Sequence, residues 1–296
     1  MDLTNISSYE SIANAVSSSF SSLVNMLLTS VDTGVFSVLD ELVFINSSTI
    51  NDKYFVSFFN RTFSIVSLCN ALLFAFLIYY IISYFFSLFT CSNFQKPLSF
   101  VVKLFISAFL IHFSLDICGK VIEFFELLTN ILRELSTFIF STKLSFTWLY
   151  KNILNTFFSV DLPPFQFFSF DGVLKTIISF SFINLLFTYS IRFIFIKILV
   201  LVSPFAFLSL ALDQSSWIFK IWLKNFLGQL FIQLFICVIL FIIFSFSTHS
   251  NPVILKLLYL ASVICLIKAS SFIKEFTSGF TTDVSSSFSS LKSLFF

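Results

Sequence analysis

Long apolar stretches, broken at wide intervals by short polar ones, set the pattern of this chain. From Thr62 to Gln95 no charged side chain occurs, a stretch longer than the ~20 residues that cross a hydrocarbon core. A first span is predicted at about 63–89. A second follows Pro97, at about 98–117, and carries Lys103, His112 and Asp116. A third starts near Gly172 and runs to Ile191, where Arg192 interrupts it. The uncharged stretch from Asn225 to Thr248 gives a fourth, and 252–267, entered by Pro252 and closed by Lys268, gives a fifth. The segment 193–212 is long enough to be another span. It holds Lys197 and a central Ser203-Pro204, so it reads as a continuation and a break at the membrane face, because proline removes a helix hydrogen bond.

Outside these spans the period is that of amphipathic helices. In region 1–61, Ile12, Val16, Phe20, Leu23, Leu27 and Val31 recur in steps of three and four. In the loop 118–171, Val121, Leu128 and Leu135 recur every seven residues, with Lys120, Glu123, Glu126, Asn130, Arg133 and Glu134 on the other side. This helix either packs on its own domain, lies in the interface, or packs between molecules. A second loop helix, about 144–158, precedes Pro163-Pro164, which must be extended. In the tail 269–296, Phe272, Phe276, Phe280, Val284, Phe288, Leu291 and Phe295 share one face. A low-charge helix of that kind anchors at an interface or docks on a partner.

Composition turns this pattern into a class. The 296 residues include 48 phenylalanines, 57% apolar side chains and 11% charged ones, with a mean hydropathy of +0.99. Soluble domains carry roughly 25% charged residues. A cytosolic enzyme, a nucleic-acid binder and a disordered protein are excluded, and what remains is an all-α polytopic membrane protein. Its five cysteines form no CxxC pair and no metal spacing with histidine, so they read as small apolar fillers. The N-terminus lacks a basic stretch before an early apolar run, so a cleaved signal peptide is not expected.

The net charge of +2 matters less than its placement. With five spans and the N-terminus outside, the cytoplasmic side receives Lys96, Lys103, Arg192, Lys197, Lys220, Lys224, Lys268, Lys274 and Lys292, against Asp213, Glu275 and Asp283. The short basic loops therefore predict an N-out, C-in topology, with 62–117 holding two spans, 172–268 three, and 192–224 a cytoplasmic elbow.

Polar residues at membrane depth are costly and so informative. Asn184, Thr188 and Arg192 stand at i, i+4 and i+8 in the third span, and Asn225, Gln229 and Gln233 do so in the fourth. The two stripes could bond each other, line a wet passage or subunit contact, or form a substrate site. His112 and Asp116, also i and i+4, suggest an ion pair near the headgroups. No enzymatic pattern is present: two histidines give no metal triad, no GxSxG, HExxH or P-loop occurs, and none of the five glycines frames a catalytic serine. No cofactor is expected.

The stretch from Arg192 to Gln233 has an Arg near the cytoplasmic end of a span, Ser203-Pro204 followed by apolar residues, a short polar turn, and Trp222 at the entrance to the next span, with Trp217 nearby. This resembles the core of the TrbL-like family, the polytopic inner-membrane subunit of bacterial type IV secretion and conjugation machines. The resemblance implies a homo-oligomeric, non-enzymatic scaffold or conduit in the bacterial inner membrane. It also implies contacts with the secretion ATPases, other inner-membrane subunits and pilus or stalk subunits, and transient contact with transferred DNA or protein. The scarcity of glycine departs from close helix crossings through small residues. A small transporter or channel is the alternative, and a holin-like lysis role is a third.

Overall fold

The structure is a computed structural model that describes residues 15–16, 18–19, 22–23, 26, 33–49, 52–60, 64–90, 97–157, 170–246, 253–269 and 271–273. Among these residues the fold is helical and no strand occurs. The principal helices are α1 (Thr33–Val43), α2 (Lys53–Asn60), α3 (Ile65–Thr90), α4 (Pro97–His112), α5 (Ser114–Phe140), α6 (Phe146–Phe157), α7 (Phe170–Leu208) and α8 (Ser216–Ser245), followed by α9 at 253–269. Among the described residues three helices, α3, α7 and α8, are long and apolar enough to cross a membrane. A fourth crossing results if α4 and α5, bent by 66° at their junction, count as one broken span.

Local chemistry explains most boundaries. The Ser64 hydroxyl accepts the Ser67 N–H at 3.1 Å and caps α3. Pro97 opens α4, where a missing N–H costs nothing. Ser141, with φ of 55°, takes the left-handed conformation that ends α5. The predicted second span is corrected here: its helix stops at His112, and Phe113 forms a turn before α5 begins. At 1.5 Å per residue α4 is about 24 Å long, short of the ~30 Å hydrocarbon. The turn also removes the predicted His112–Asp116 pair, which needs one continuous helix. His112 instead places Nε2 3.4 Å from the Asn70 amide nitrogen of α3, and Asp116 sits in the first turn of α5, near Lys120.

The described chain forms two compact units. One comprises Met1–Phe44, Thr129–Ile191 and Gln233–Phe272; the other comprises Ile45–Leu128, Arg192–Ile232 and Ile273–Phe296.

In the first unit, α1 packs on α6. The Asp40 carboxylate accepts the Phe146 N–H at 2.8 Å and the Thr147 hydroxyl at 3.3 Å, while the Ser145 hydroxyl accepts the Trp148 N–H at 3.1 Å. The start of α6 is thus capped both from its own chain neighbour and from α1. Arg133 donates to the Leu144 carbonyl at 3.2 Å and lies over the Phe44 ring at 4.5 Å. Trp148 stacks on Phe244 at 3.5 Å, with Phe140 beside it. The buried Tyr189 donates its hydroxyl to the Leu266 carbonyl at 2.7 Å, tying α7 to α9.

Asp40→Ala is expected to cost about 1 kcal/mol, the usual loss for a helix cap, read as a lower thermal midpoint in detergent. Burial pushes the Asp40 carboxyl above its ordinary value, outweighing the Phe146 and Thr147 bonds and the Arg133 charge that pull it down. The folded state therefore keeps a proton that the unfolded chain releases. That contribution is present below the ordinary carboxylate range and is lost as pH rises through the raised folded value. Asp40→Asn keeps a carbonyl acceptor and removes the titration, so the wild-type midpoint should fall relative to that of Asp40→Asn as pH rises across that window. A constant difference would refute it.

In the second unit, α3 and α4 run antiparallel. Tyr80 stacks on Phe100 with ring centroids 3.8 Å apart and planes within 3°. Apart from this seam, α3 is largely exposed, with Phe74, Phe85, Phe86 and Phe89 among its outward side chains.

The predicted seam of α5 is corrected by one residue. Its buried line is Cys118, Ile122, Phe125, Thr129 and Ser136, while Val121 and Leu128 are half-buried and Leu135 is exposed. The loop helix at 144–158 corresponds to α6. Of the N-terminal stripe, Val16 and Leu23 are helical and exposed, and of the tail Phe272 is described. The remaining positions of both stripes, and Pro163-Pro164, lie outside the described residues.

Candidate functional site

Arg192, Ser203-Pro204 and Trp222 converge, within the second unit, on a helical hairpin formed by the end of α7 and the start of α8. Pro204 does not break α7. The helix continues through it to Leu208, which corrects the expected break. Pro204 has no N–H for the Val200 carbonyl four residues earlier. The Ser203 hydroxyl donates to that carbonyl at 2.7 Å, so the gap in the ladder is filled by the adjacent side chain. The reversal comes later. A short 3-10 turn at Ser209–Ala211, an extended Leu212 (φ −117°, ψ 129°) and a second 3-10 turn at Asp213–Ser215 lead into α8. The Ser215 hydroxyl donates to the Ser209 carbonyl at 2.8 Å and Ser216 to that of Asp213 at 2.9 Å. These bonds satisfy the backbone of a corner too tight to satisfy itself.

Two rungs hold the hairpin. Arg192, 4% exposed, donates through Nε and Nη2 to the Gln229 carbonyl at 3.1 and 2.7 Å. Trp222, buried, donates its indole N–H to the Leu199 carbonyl at 2.9 Å. The second rung lies seven residues onward in α7 and seven back in α8, as an antiparallel pair requires. Both acceptors are helix carbonyls, whose second lone pair is free for a side-chain donor. Around Trp222 the rings of Phe207, Phe219 and Phe226 close within 5.4 to 5.8 Å, with Phe226 stacked at 9°.

The corner is held to α4 by Lys103. Its ammonium contacts both Asp213 oxygens, at 2.9 and 2.8 Å. The two residues that the charge count assigned to one membrane side are therefore in contact.

The remaining candidates divide. Trp217, 59% exposed, faces outward, unlike Trp222. Asn225 and Asn184 are exposed, and Thr188 turns its hydroxyl back to the Asn184 carbonyl at 2.8 Å. The two stripes thus meet where Arg192 reaches the Gln229 backbone carbonyl. Gln233, in the first unit, donates to the buried Thr129 hydroxyl at 3.1 Å, bracing α8 against α5. The Gln229 and Gln233 side-chain oxygens are buried without a hydrogen-bond partner. Sequence reasoning missed Thr129, Tyr189 and the Lys103–Asp213 pair. A tyrosine in an apolar run between Thr188 and Arg192 was the one available signal; nothing local links positions 103 and 213.

No family model, curated protein or solved structure matches the chain.

Proposed function

We propose that the chain is a non-enzymatic scaffold or conduit subunit of a type IV secretion system, set in the bacterial inner membrane. The N-terminus is outside and the C-terminus cytoplasmic. On this reading the five spans are α3, α4 with its continuation into α5, part of α7, α8 and α9. It assembles with copies of itself and with inner-membrane and ATPase subunits, supports a pilus or stalk, and touches DNA or protein only in passage.

The single observation that carries this reading is the clasp. Arg192, Ser203-Pro204 and Trp222, the residues on which the resemblance to the TrbL-like family rests, are engaged in one helix pair. The proposed topology assigns the start of the second span and the elbow to one side, in keeping with the Lys103–Asp213 contact.

Transfer assays in a strain lacking the gene test the reading. Arg192→Leu is expected to lose transfer, while Lys197→Leu, whose charge is half exposed over Phe193 and free to snorkel, retains it. Equal transfer by both variants would overturn the role given to the clasp. A strictly monomeric protein whose deletion leaves transfer unchanged would overturn the function. A transporter or channel draws its support from the unpartnered Gln229 oxygen. Gln229→Leu separates the two: a scaffold tolerates it, whereas a conducting site loses solute uptake in proteoliposomes.

A further inference from the structure

The outer face of α8's first two turns contrasts with its aromatic inner face. Trp217, Ile218 and Ile221 are exposed, at 59%, 41% and 49%, and Lys220 and Lys224 stand on the same side. Positions 217, 220, 221 and 224 follow the i, i+3, i+4, i+7 spacing that keeps residues on one helical face, about 10 Å long. Neither lysine has a carboxylate partner among the described residues. The nearby acid in the corner, Asp213, is held by both oxygens on Lys103, so the patch keeps its positive charge.

We infer that this face binds anionic phospholipid of the surrounding leaflet. The acyl chains cover Ile218 and Ile221, Trp217 lies at headgroup level, and the two ammonium groups hold the headgroup's negative charge. Apolar exposure alone would suit any lipid. Two uncompensated lysines beside an outward tryptophan select a net negative headgroup over a zwitterionic one. This inference goes beyond the proposed secretion role and does not depend on it.

The test uses the full chain reconstituted in vesicles of phosphatidylcholine with brominated phosphatidylglycerol or, separately, brominated phosphatidylcholine, with tryptophan quenching as readout. Brominated phosphatidylglycerol should quench more strongly at equal mole fraction, and Trp217→Phe should remove the excess. At roughly fivefold per lysine, Lys220→Gln with Lys224→Gln should lower the apparent preference for the anionic lipid roughly twenty-fivefold. Lys220→Arg with Lys224→Arg, a charge-preserving control for folding, should keep it. Equal quenching by both lipids, or an excess unchanged in the double glutamine variant, overturns the inference. So does a photo-crosslinking benzoylphenylalanine at position 221 that captures protein and no lipid in native membranes, which would assign the face to an acidic protein partner.

Discussion

Trp222→Ala should lower the stability of the detergent-solubilised protein by about 3 kcal/mol, the low end for truncating a large buried aromatic side chain. The low end applies because lipid and detergent are apolar too, so less transfer free energy is at stake than in water. What is lost is dispersion contact with Phe207, Phe219 and Phe226, together with the bond to the Leu199 carbonyl. Trp222→Phe isolates that bond. It retains a ring of nearly the right size and removes the donor, so it should cost about 1 kcal/mol. Reversible unfolding in mixed detergent micelles measures both. If phenylalanine is as damaging as alanine, the packing account is wrong. A loss in Trp222→Ala below about 0.5 kcal/mol, the size of a surface substitution, would mean the hairpin is held elsewhere.

Arg192→Lys should be more destabilising than Arg192→Leu, an inversion of ordinary chemical similarity. The guanidinium spreads one charge over a planar fork and reaches the Gln229 carbonyl with two donors. An ammonium is a compact, strongly hydrated charge that cannot repeat this geometry. Lysine at 192 would leave a positive charge buried without the same compensation, at about 3 kcal/mol. Leucine removes the hydrogen bonds and the charge together, at about 1 kcal/mol. The Gln229 carbonyl keeps its helix position either way. The same unfolding assay ranks the pair, and Arg192→Lys stabler than Arg192→Leu would refute the dominance of charge burial. For secretion Arg192→Leu is still expected to fail, because the hairpin has lost the Arg192 rung.

Much of the helical framework was legible because hydropathy reports it directly. The boundaries of α3 fall within two residues of the predicted span, and the polar run Asp213-Gln214-Ser215-Ser216 marked the corner. The α4–α5 turn was not legible, because the sequence within five residues of Phe113 contains neither glycine nor proline. That unseen turn also undid the His112–Asp116 pairing, whose spacing holds only on an unbroken helix. Pro204 misled in the opposite sense. Its effect on the ladder is local, and the residue beside it supplies the missing donor. Of the clasp, sequence revealed the donors and not the acceptors. Arg192 and Trp222 stand out in an apolar chain, but carbonyls look alike at every position. A search for side-chain partners therefore named the right helices and missed the carbonyls that join them.

The division between donor side chains and backbone acceptors sets how the hairpin can drift over generations. Leu199 and Gln229 contribute to the rungs through atoms that every residue possesses, so either position can exchange its side chain, limited only by size, while the rung survives. Arg192 and Trp222 have no such latitude. Two lineages can thus keep the same hairpin while most of its contact surface is rewritten, and geometry outlasts identity there.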